Sequence, residues 1–354
     1  MKIMKQSNSG KLEIIQISRA LAILFVLIGH ANNNFYQEIG YDWFNVAQWE
    51  RTGGVDFFFI VTGFMIYYLY NKYAGNKEKA TQFLIKRILR IFPLYWIFTT
   101  LALIVPLAFP MLQEGYSMEI TLKSFLLLTN EPILSSAWSL THIVFFYLLF
   151  FAYMYKPVIM KPFIGLLVGL TLLGEMNILS FLPSSIFSIS IVEIFCGALV
   201  AYLSIHFTNK YAGLCIVLGM AGYFLVWVHN VYSLTFIPLS LAYGFCSMLI
   251  MYGIAEMDKT KRNVPRFFSY LGGASYSIYI AHGPFIKGYL MIFVKLNFFN
   301  IISPFFGLII IILLVTASCC IVYNVVEKPL VETLRRKVLN KKKVTQPVPH
   351  LLAK

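Results

Sequence analysis

Charge is what this sequence has least of. Only 12% of its 354 residues are Asp, Glu, Lys or Arg, while 59% are hydrophobic and 17% aromatic. A soluble domain carries about 25% charged and about 45–50% apolar residues, and disordered chains are poorer still in apolar ones, so both classes are excluded. Acidic residues are the scarcer sign, 15 against 29 basic ones, which leaves a formal net charge of +14. Cysteine is scarce too: Cys196, Cys215, Cys246, Cys319 and Cys320 all fall within apolar runs without CxxC spacing, which argues against a disulfide framework and against a zinc site. The chain shows no repeat of fixed period and no low-complexity tract. What it has in abundance is apolar runs, and with a mean hydropathy of +0.73 it reads as a polytopic membrane protein.

A hydrocarbon core about 30 Å thick needs about 20 apolar residues per helix. Ten such runs stand between polar breaks, at 12–33, 54–73, 91–109, 137–155, 163–181, 186–205, 212–229, 235–255, 267–292 and 303–325. The fifth and sixth are separated only by Pro183 and the Ser184-Ser185 turn. The expected fold is all-α, a membrane helix bundle of about ten transmembrane helices. It divides into a cytoplasmic N-terminal segment (1–11), a transmembrane domain (12–325) and a basic cytoplasmic tail (326–354). The first run is not a signal peptide, because it contains Arg19, ends in His30 without a small-residue cleavage pattern, and is followed by nine more.

The cations sort by loop. Arg51, Lys123 and Lys295 fall in one set of loops and Arg19 and Lys287 within spans, which leaves 24 of the 29 in the alternate loops and at the two ends. By the positive-inside rule both termini are cytoplasmic, and most of the basic excess encodes orientation beside an anionic leaflet rather than contact with nucleic acid. The longest outer loops, 34–53 and 110–136, are acidic-leaning (Glu38, Asp42, Glu50; Glu114, Glu119, Glu131). Phe35, Tyr36, Tyr41, Trp43, Phe44 and Trp49 in and beside the first suit sugar stacking or, equally, a membrane-interface belt.

An ionisable side chain inside a spanning helix costs about 2.5–3.5 kcal/mol, so each one calls for a partner, a cavity or a function. The few are Arg19, His30, Asp56, His142, Glu175, Glu193, His282 and Lys287. Arg19 and His30 are eleven residues apart, which at about 100° per residue is three turns plus about 20°, so they share one helix face about 16 Å apart along the axis. Such a pair on an otherwise apolar stripe points to a lined polar cavity. Arg87 and Arg90, at i and i+3, form a cationic fork suited to a phosphorylated cytosolic ligand, or a positive-inside anchor. Asp56 follows two glycines at the outer start of the second span, as a helix cap or as a group that orients a neighbouring His. Ser275, Tyr279 and His282 share a face of the ninth span just before a kink expected at Pro284, as helix glue or cavity lining.

In order, these pieces resemble the membrane acyltransferase-3 family, bacterial integral-membrane enzymes that place acyl groups, mostly acetyl, on surface glycans. The resemblance rests on Arg19 with ten residues before His30, GVDFFFIVTGF at 54–64 and FLIKRILRIFPLYW at 83–96. It continues with AWSL at 137–140, SYSIYIAH at 275–282 and VEKPL at 326–330. It implies that Arg19 and His30 match the family's essential Arg-His pair, and that Arg87 and Arg90 match its Arg-x-x-Arg motif, associated with the acyl-coenzyme A donor. Catalysis is then expected from His30, Arg19 and Asp56, donor binding from Arg87 and Arg90, and further cavity lining from Ser139, His142, Ser275, Tyr279 and His282. Acetyl-CoA is the expected co-substrate, a glycan or lipid-linked polysaccharide the acceptor and membrane lipid a partner, with no metal and no nucleic acid. The expected location is the bacterial cytoplasmic membrane. Two departures stand out: Ile143 occupies a position where many members have an acid, and Thr62 replaces a common Ser. From the short tail the chain is expected to be of the stand-alone type rather than of the type bearing an added hydrolase-like domain.

In such an enzyme an imidazole, whose ordinary pKa is about 6.5, takes the proton of a sugar hydroxyl as it attacks the thioester, with Asp56 orienting the ring. A transient acyl-histidine is the competing chemistry. A transporter or flippase, or a catalytically altered relative, are the competing functions.

Overall fold

The computed structural model describes residues 13–49, 51–108, 115–232 apart from positions 177, 180, 182, 184 and 185, and then 238–259 and 265–344. The N-terminal segment 1–11, Glu50, Glu114, the Ser184-Ser185 turn, Lys261, Arg262 and the tail beyond 344 lie outside the described residues. Twelve α-helices are present among them: α1 (Glu13–Ile39), α2 (Gly54–Tyr70), α3 (Lys77–Ala108), α4 (Met118–Phe125), α5 (Trp138–Tyr155), α6 (Pro157–Glu175), α7 (Ile189–His206), α8 (Ala212–Tyr232), α9 (Leu239–Asp258), α10 (Arg266–Lys295), α11 (Pro304–Val322) and α12 (Lys328–Val344).

Among the described residues ten segments are long and apolar enough to cross a membrane, the number expected, with α4 outside them and α11 and α12 joined in one. Their outward faces are apolar: Val158 on α6 is 84% exposed, Leu225 on α8 65% and Leu313 on α11 64%. An exposed apolar surface on this scale requires a hydrocarbon solvent, in which helices suit the spans because they satisfy their own backbone.

Helix ends depart from the apolar runs in informative ways. The third run opens at residue 91, yet α3 begins at Lys77 and is 32 residues long. Lys86, Arg87 and Arg90 interrupt hydropathy but are good helix formers, so Arg87 and Arg90 stand well inside the helix. Helix α6 begins at Pro157, six residues before its run, because proline is tolerated at the first helical position; Pro162 lies inside the helix. The 110–136 loop holds a short helix, α4, capped by Ser117 Oγ accepting from the Ile120 amide (3.2 Å) and tied to α3 by Tyr95 Oη and Trp96 Nε1, which donate to the Ser124 and Phe125 carbonyls (2.6 and 2.9 Å). The basic tail is helical too: α11 passes through a π-helical turn, Tyr323–Glu327, into α12. Pro329 supplies the reason, since it lacks the amide that would bond the 325 carbonyl and its ring crowds that carbonyl, so the turn widens.

Glycines set the closest helix contacts. A Cβ on Gly63 of α2 would overlap the Ile194 carbonyl of α7, and one on Gly197 of α7 would overlap the Ile60 carbonyl of α2. Gly272 of α10 meets the Gln16 carbonyl of α1 in the same way. Small residues at such crossings let helices in lipid approach to backbone contact, where packing replaces the missing hydrophobic drive. Gly63→Ala should therefore destabilise the protein by about 1–3 kcal/mol, the usual cost of overpacking. Gly169→Ala on α6, where a Cβ meets nothing within 4 Å, should stabilise it by about 0.5–1 kcal/mol through helix propensity. Reversible unfolding in mixed micelles reads both signs, and equal effects would contradict the crossing.

Candidate functional site

Helix α1 carries both members of the Arg-His pair against α10. Arg19 donates through Nη2 to Ser275 Oγ (2.8 Å) and through Nη1 to Gln16 Oε1 (3.3 Å). About three turns further on, the His30 ring lies 5.0 Å from the His282 ring, centroid to centroid, at 49°. The shared face expected from their spacing is thus the α1–α10 seam, and its two polar layers are Arg19 with Ser275 and His30 with His282.

His30 also lines a cavity of about 280 Å³ with Gly29, Asn33, Trp49, Arg51, Asp56, Phe59 and Trp138. One wall is the turn before α2. Gly53 has φ +83°, and a Cβ there would run into the Tyr223 and Tyr243 rings, so both backbone and space demand glycine. Tyr223 Oη donates to the Gly53 carbonyl (3.0 Å), Tyr243 Oη to that of Arg51 (3.2 Å) and Trp227 Nε1 to that of Thr52 (3.3 Å). Aromatic side chains of α8 and α9 thereby fix the position of Asp56. A short 3₁₀ segment, Trp43–Gln48, lies over the same end, held by Asn32, which donates to Asp42 Oδ1 (2.5 Å) and accepts from the Trp43 amide (2.8 Å).

Asp56 is 3% exposed and its Oδ1 accepts from Arg51 Nη1 at 2.8 Å. The carboxylate expected to orient His30 is therefore committed to Arg51, a residue assigned from sequence to an outer loop. Beside it stands Glu193 of α7, 3% exposed, with neither carboxylate oxygen partnered by a donor among the described residues and with the Asp56 carboxyl next to it. Tyr279 Oη and Ser139 Oγ are 2.7 Å apart, and Tyr279 also donates to the Ser136 carbonyl, which joins α10 to the start of α5. His142, 4% exposed, packs against the Trp138 ring (5.8 Å) and the Phe59 ring (6.3 Å). Ile143, one of the two departures in the sequence, is 2% exposed in the apolar core.

Arg87 and Arg90 are at the other end of the bundle and make different contacts. The Arg87 guanidinium is ringed by Tyr70, Phe83 and Tyr147, at 5.3, 5.6 and 5.8 Å from the ring centroids, and its Nε has no partner among the described residues. Arg90 Nη2 is 3.6 Å from Glu327 Oε1 and 3.4 Å from the Gly273 carbonyl. Glu327 is 1% exposed and its Oε2 also accepts from Ser277 Oγ (2.6 Å), so the π-helical turn presses an acid between α3 and α10. The VEKPL segment, which in the sequence serves only as a family marker, supplies the counter-charge of the Arg pair. Arg335 of α12 joins the same field as Arg87, Arg90 and Glu327, and its Nε is likewise without a partner among the described residues. Arg19 and Arg335 each feel the charges of Arg87, Arg90 and Glu327, so among the described residues four guanidinium groups share this field with the Glu327 carboxylate, which lies 3.6 Å from Arg90. A surplus of guanidinium forks of this kind fits phosphate oxygens. No group of three or more metal-ligating side chains is found among the described residues.

The chain was compared with known proteins. No curated relative and no solved structure matches it. A family profile described as an acyltransferase domain matches residues 12–324, nearly the whole chain, and takes in the motifs described above except VEKPL at 326–330, which lies just beyond it. The chain therefore belongs to the acyltransferase-3 family and is a multi-pass membrane acyltransferase.

Proposed function

We propose that the protein is an O-acetyltransferase of the bacterial cytoplasmic membrane, moving an acetyl group from cytosolic acetyl-CoA to a hydroxyl of an exported or surface glycan. The observation that carries this reading is His30, which opens into a cavity walled by Trp49 and Trp138 while the arginine surplus lies at the opposite end of the bundle. The alternation of the cations supports placing both termini and the arginine cluster on the cytoplasmic side.

In this reading Arg87 and Arg90, with Arg19 behind them, hold the donor's phosphates, and the cavity holds the acceptor. Trp49 and Trp138 offer sugar-stacking faces, and the buried Trp49 indole N–H, without a partner among the described residues, is free to donate to a hydroxyl. The thioester travels along the α1–α10 seam, so the Arg19–Ser275 bond opens as the pantetheine arm passes. At His30 the acceptor oxygen attacks the thioester carbonyl carbon and the C–S bond breaks. The imidazole takes the hydroxyl proton and returns it to the departing sulfur. Transfer to oxygen then needs no group beyond donor, acceptor and this chain.

Purified protein in lipid, given labelled acetyl-CoA and candidate glycans, should form a labelled ester, and His30→Ala should slow it by about 10²–10⁴-fold, the usual contribution of a general base. Transport of glycan without any new ester, in wild type and variant alike, would overturn the enzyme reading. Arg87→Ala with Arg90→Ala should raise KM for acetyl-CoA by about 10–100-fold, as expected for one or two lost charge-assisted hydrogen bonds, while Lys337→Ala on the exposed face of α12 leaves it unchanged. Equal effects would reduce the pair to an orientation signal.

A further inference from the structure

His282 is an unusual residue to find where it stands. It is 1% exposed and does not line the cavity, yet it packs on the one histidine that does. Its Nδ1 lies 3.0 Å from the Ile278 carbonyl and 2.8 Å from that of Tyr279. Carbonyl oxygens only accept, so Nδ1 carries the hydrogen and donates to both. In the neutral ring Nε2 is then a bare lone pair, and it is buried with no hydrogen-bond donor assigned to it among the described residues. A buried acceptor left in that state costs about 1–3 kcal/mol, which a bundle has no reason to carry unless something uses it.

The neighbours on each packed element narrow what that can be. On α10 itself, Tyr279, whose ring is 6.2 Å from that of His282, spends its hydroxyl on Ser139 and Ser136. On α2, Phe58 stacks on Tyr279 and offers no polar atom, and Asp56 is bound to Arg51. On α1, Arg19 is bonded to Ser275, two turns away. The polar group that the structure does place against the His282 ring is the His30 imidazole, at 5.0 Å.

We infer that His282 is the positioning residue of the reaction: its Nε2 receives the ring N–H of His30, which fixes the His30 tautomer and leaves the other nitrogen bare toward the cavity. The inference rests on the reading of His30 as the base that faces the acceptor. It gives His282 the duty that a carboxylate performs in a hydrolase triad, with a neutral acceptor in place of a charged one. When His30 takes the hydroxyl proton, its N–H to His282 becomes a charge-assisted bond and shortens, so the contact strengthens as the oxygen attacks. The backbone carbonyls of α10 hold His282 from behind through the proton it keeps, so it cannot rotate to offer its N–H instead. In this arrangement the partner of the base is an imidazole on another helix and owes nothing to position 143, where Ile143 lies in the apolar core.

Two substitutions separate positioning from mere packing. His282→Asn keeps an amide N–H near the Ile278 and Tyr279 carbonyls and removes the acceptor toward His30; His282→Gln places an amide oxygen close to where Nε2 stood. The expected result is a kcat lowered by about 10–100-fold in His282→Asn, less than the loss of the base itself, with KM for acetyl-CoA unchanged and kcat substantially recovered in His282→Gln. Full activity in His282→Asn, or a Gln variant no better than the Asn variant, would overturn the inference. The second readout needs no turnover: in protein labelled with ¹⁵N-histidine, the His30 ring, assigned by its loss in His30→Ala, should show a single tautomer in wild type and a mixture in His282→Asn. An unchanged His30 spectrum would overturn the pairing. Absence of ester formation by wild type would count against the acyltransferase reading alone, because the spectrum decides the pairing separately.

Discussion

The functional reading of this bundle depends on holding polar side chains between membrane-spanning helices, where each needs a partner. Two layers on the α1–α10 seam meet that requirement, Arg19 with Ser275 and His30 with His282, and backbone contact at Gly272 brings the helices close enough for both. The seam resolves the cost of each ionisable group by pairing it across helices, and it places one group of the second layer at the edge of a cavity. Breaking such a pair leaves an unserved polar atom in hydrocarbon, so a pair on the seam opens only where another polar group takes the partner's place.

A second consequence is polarity along the bundle axis. At one end, an arginine surplus surrounds Glu327, which the π-helical turn before Pro329 delivers between α3 and α10. At the other, a glycine turn pinned by Tyr223, Tyr243 and Trp227 presents Asp56 and Arg51 beside His30. One end suits polyanionic phosphates and the other a hydroxylated ring. The two are joined by the same helix, which in the proposed function gives a thioester and a hydroxyl supplied from opposite sides of the membrane a common meeting point.

Much of this was legible in the sequence, and the limits have physical causes. Ten spans follow from hydropathy because each run is long against the core it must cross. The common face of Arg19 and His30 follows from helical periodicity alone. Their partners do not, because Ser275 and His282 come from a helix some 250 residues away, and only packing decides which helix fills the facing seam. The run of basic residues at 86–90 concealed the first turns of α3, since hydropathy drops while helix propensity does not. Arg51 reads as a loop cation and becomes the partner of Asp56 only because Gly53 turns the chain back at positive φ. Glu327 and Arg335 sit in a segment whose composition suggests a solvated tail, and the π-helical turn that folds it onto α3 is visible in sequence only as a proline.

The central claim is that donor and acceptor approach one bundle from opposite faces and meet at His30. Sealed proteoliposomes with uniformly oriented protein test it most directly, with labelled acetyl-CoA supplied on one side and a membrane-impermeant glycan acceptor on the other. The account predicts ester formation only when the donor faces the Arg87–Arg90 end and the acceptor faces the His30 cavity. Equal transfer with both substrates confined to the arginine side would contradict it.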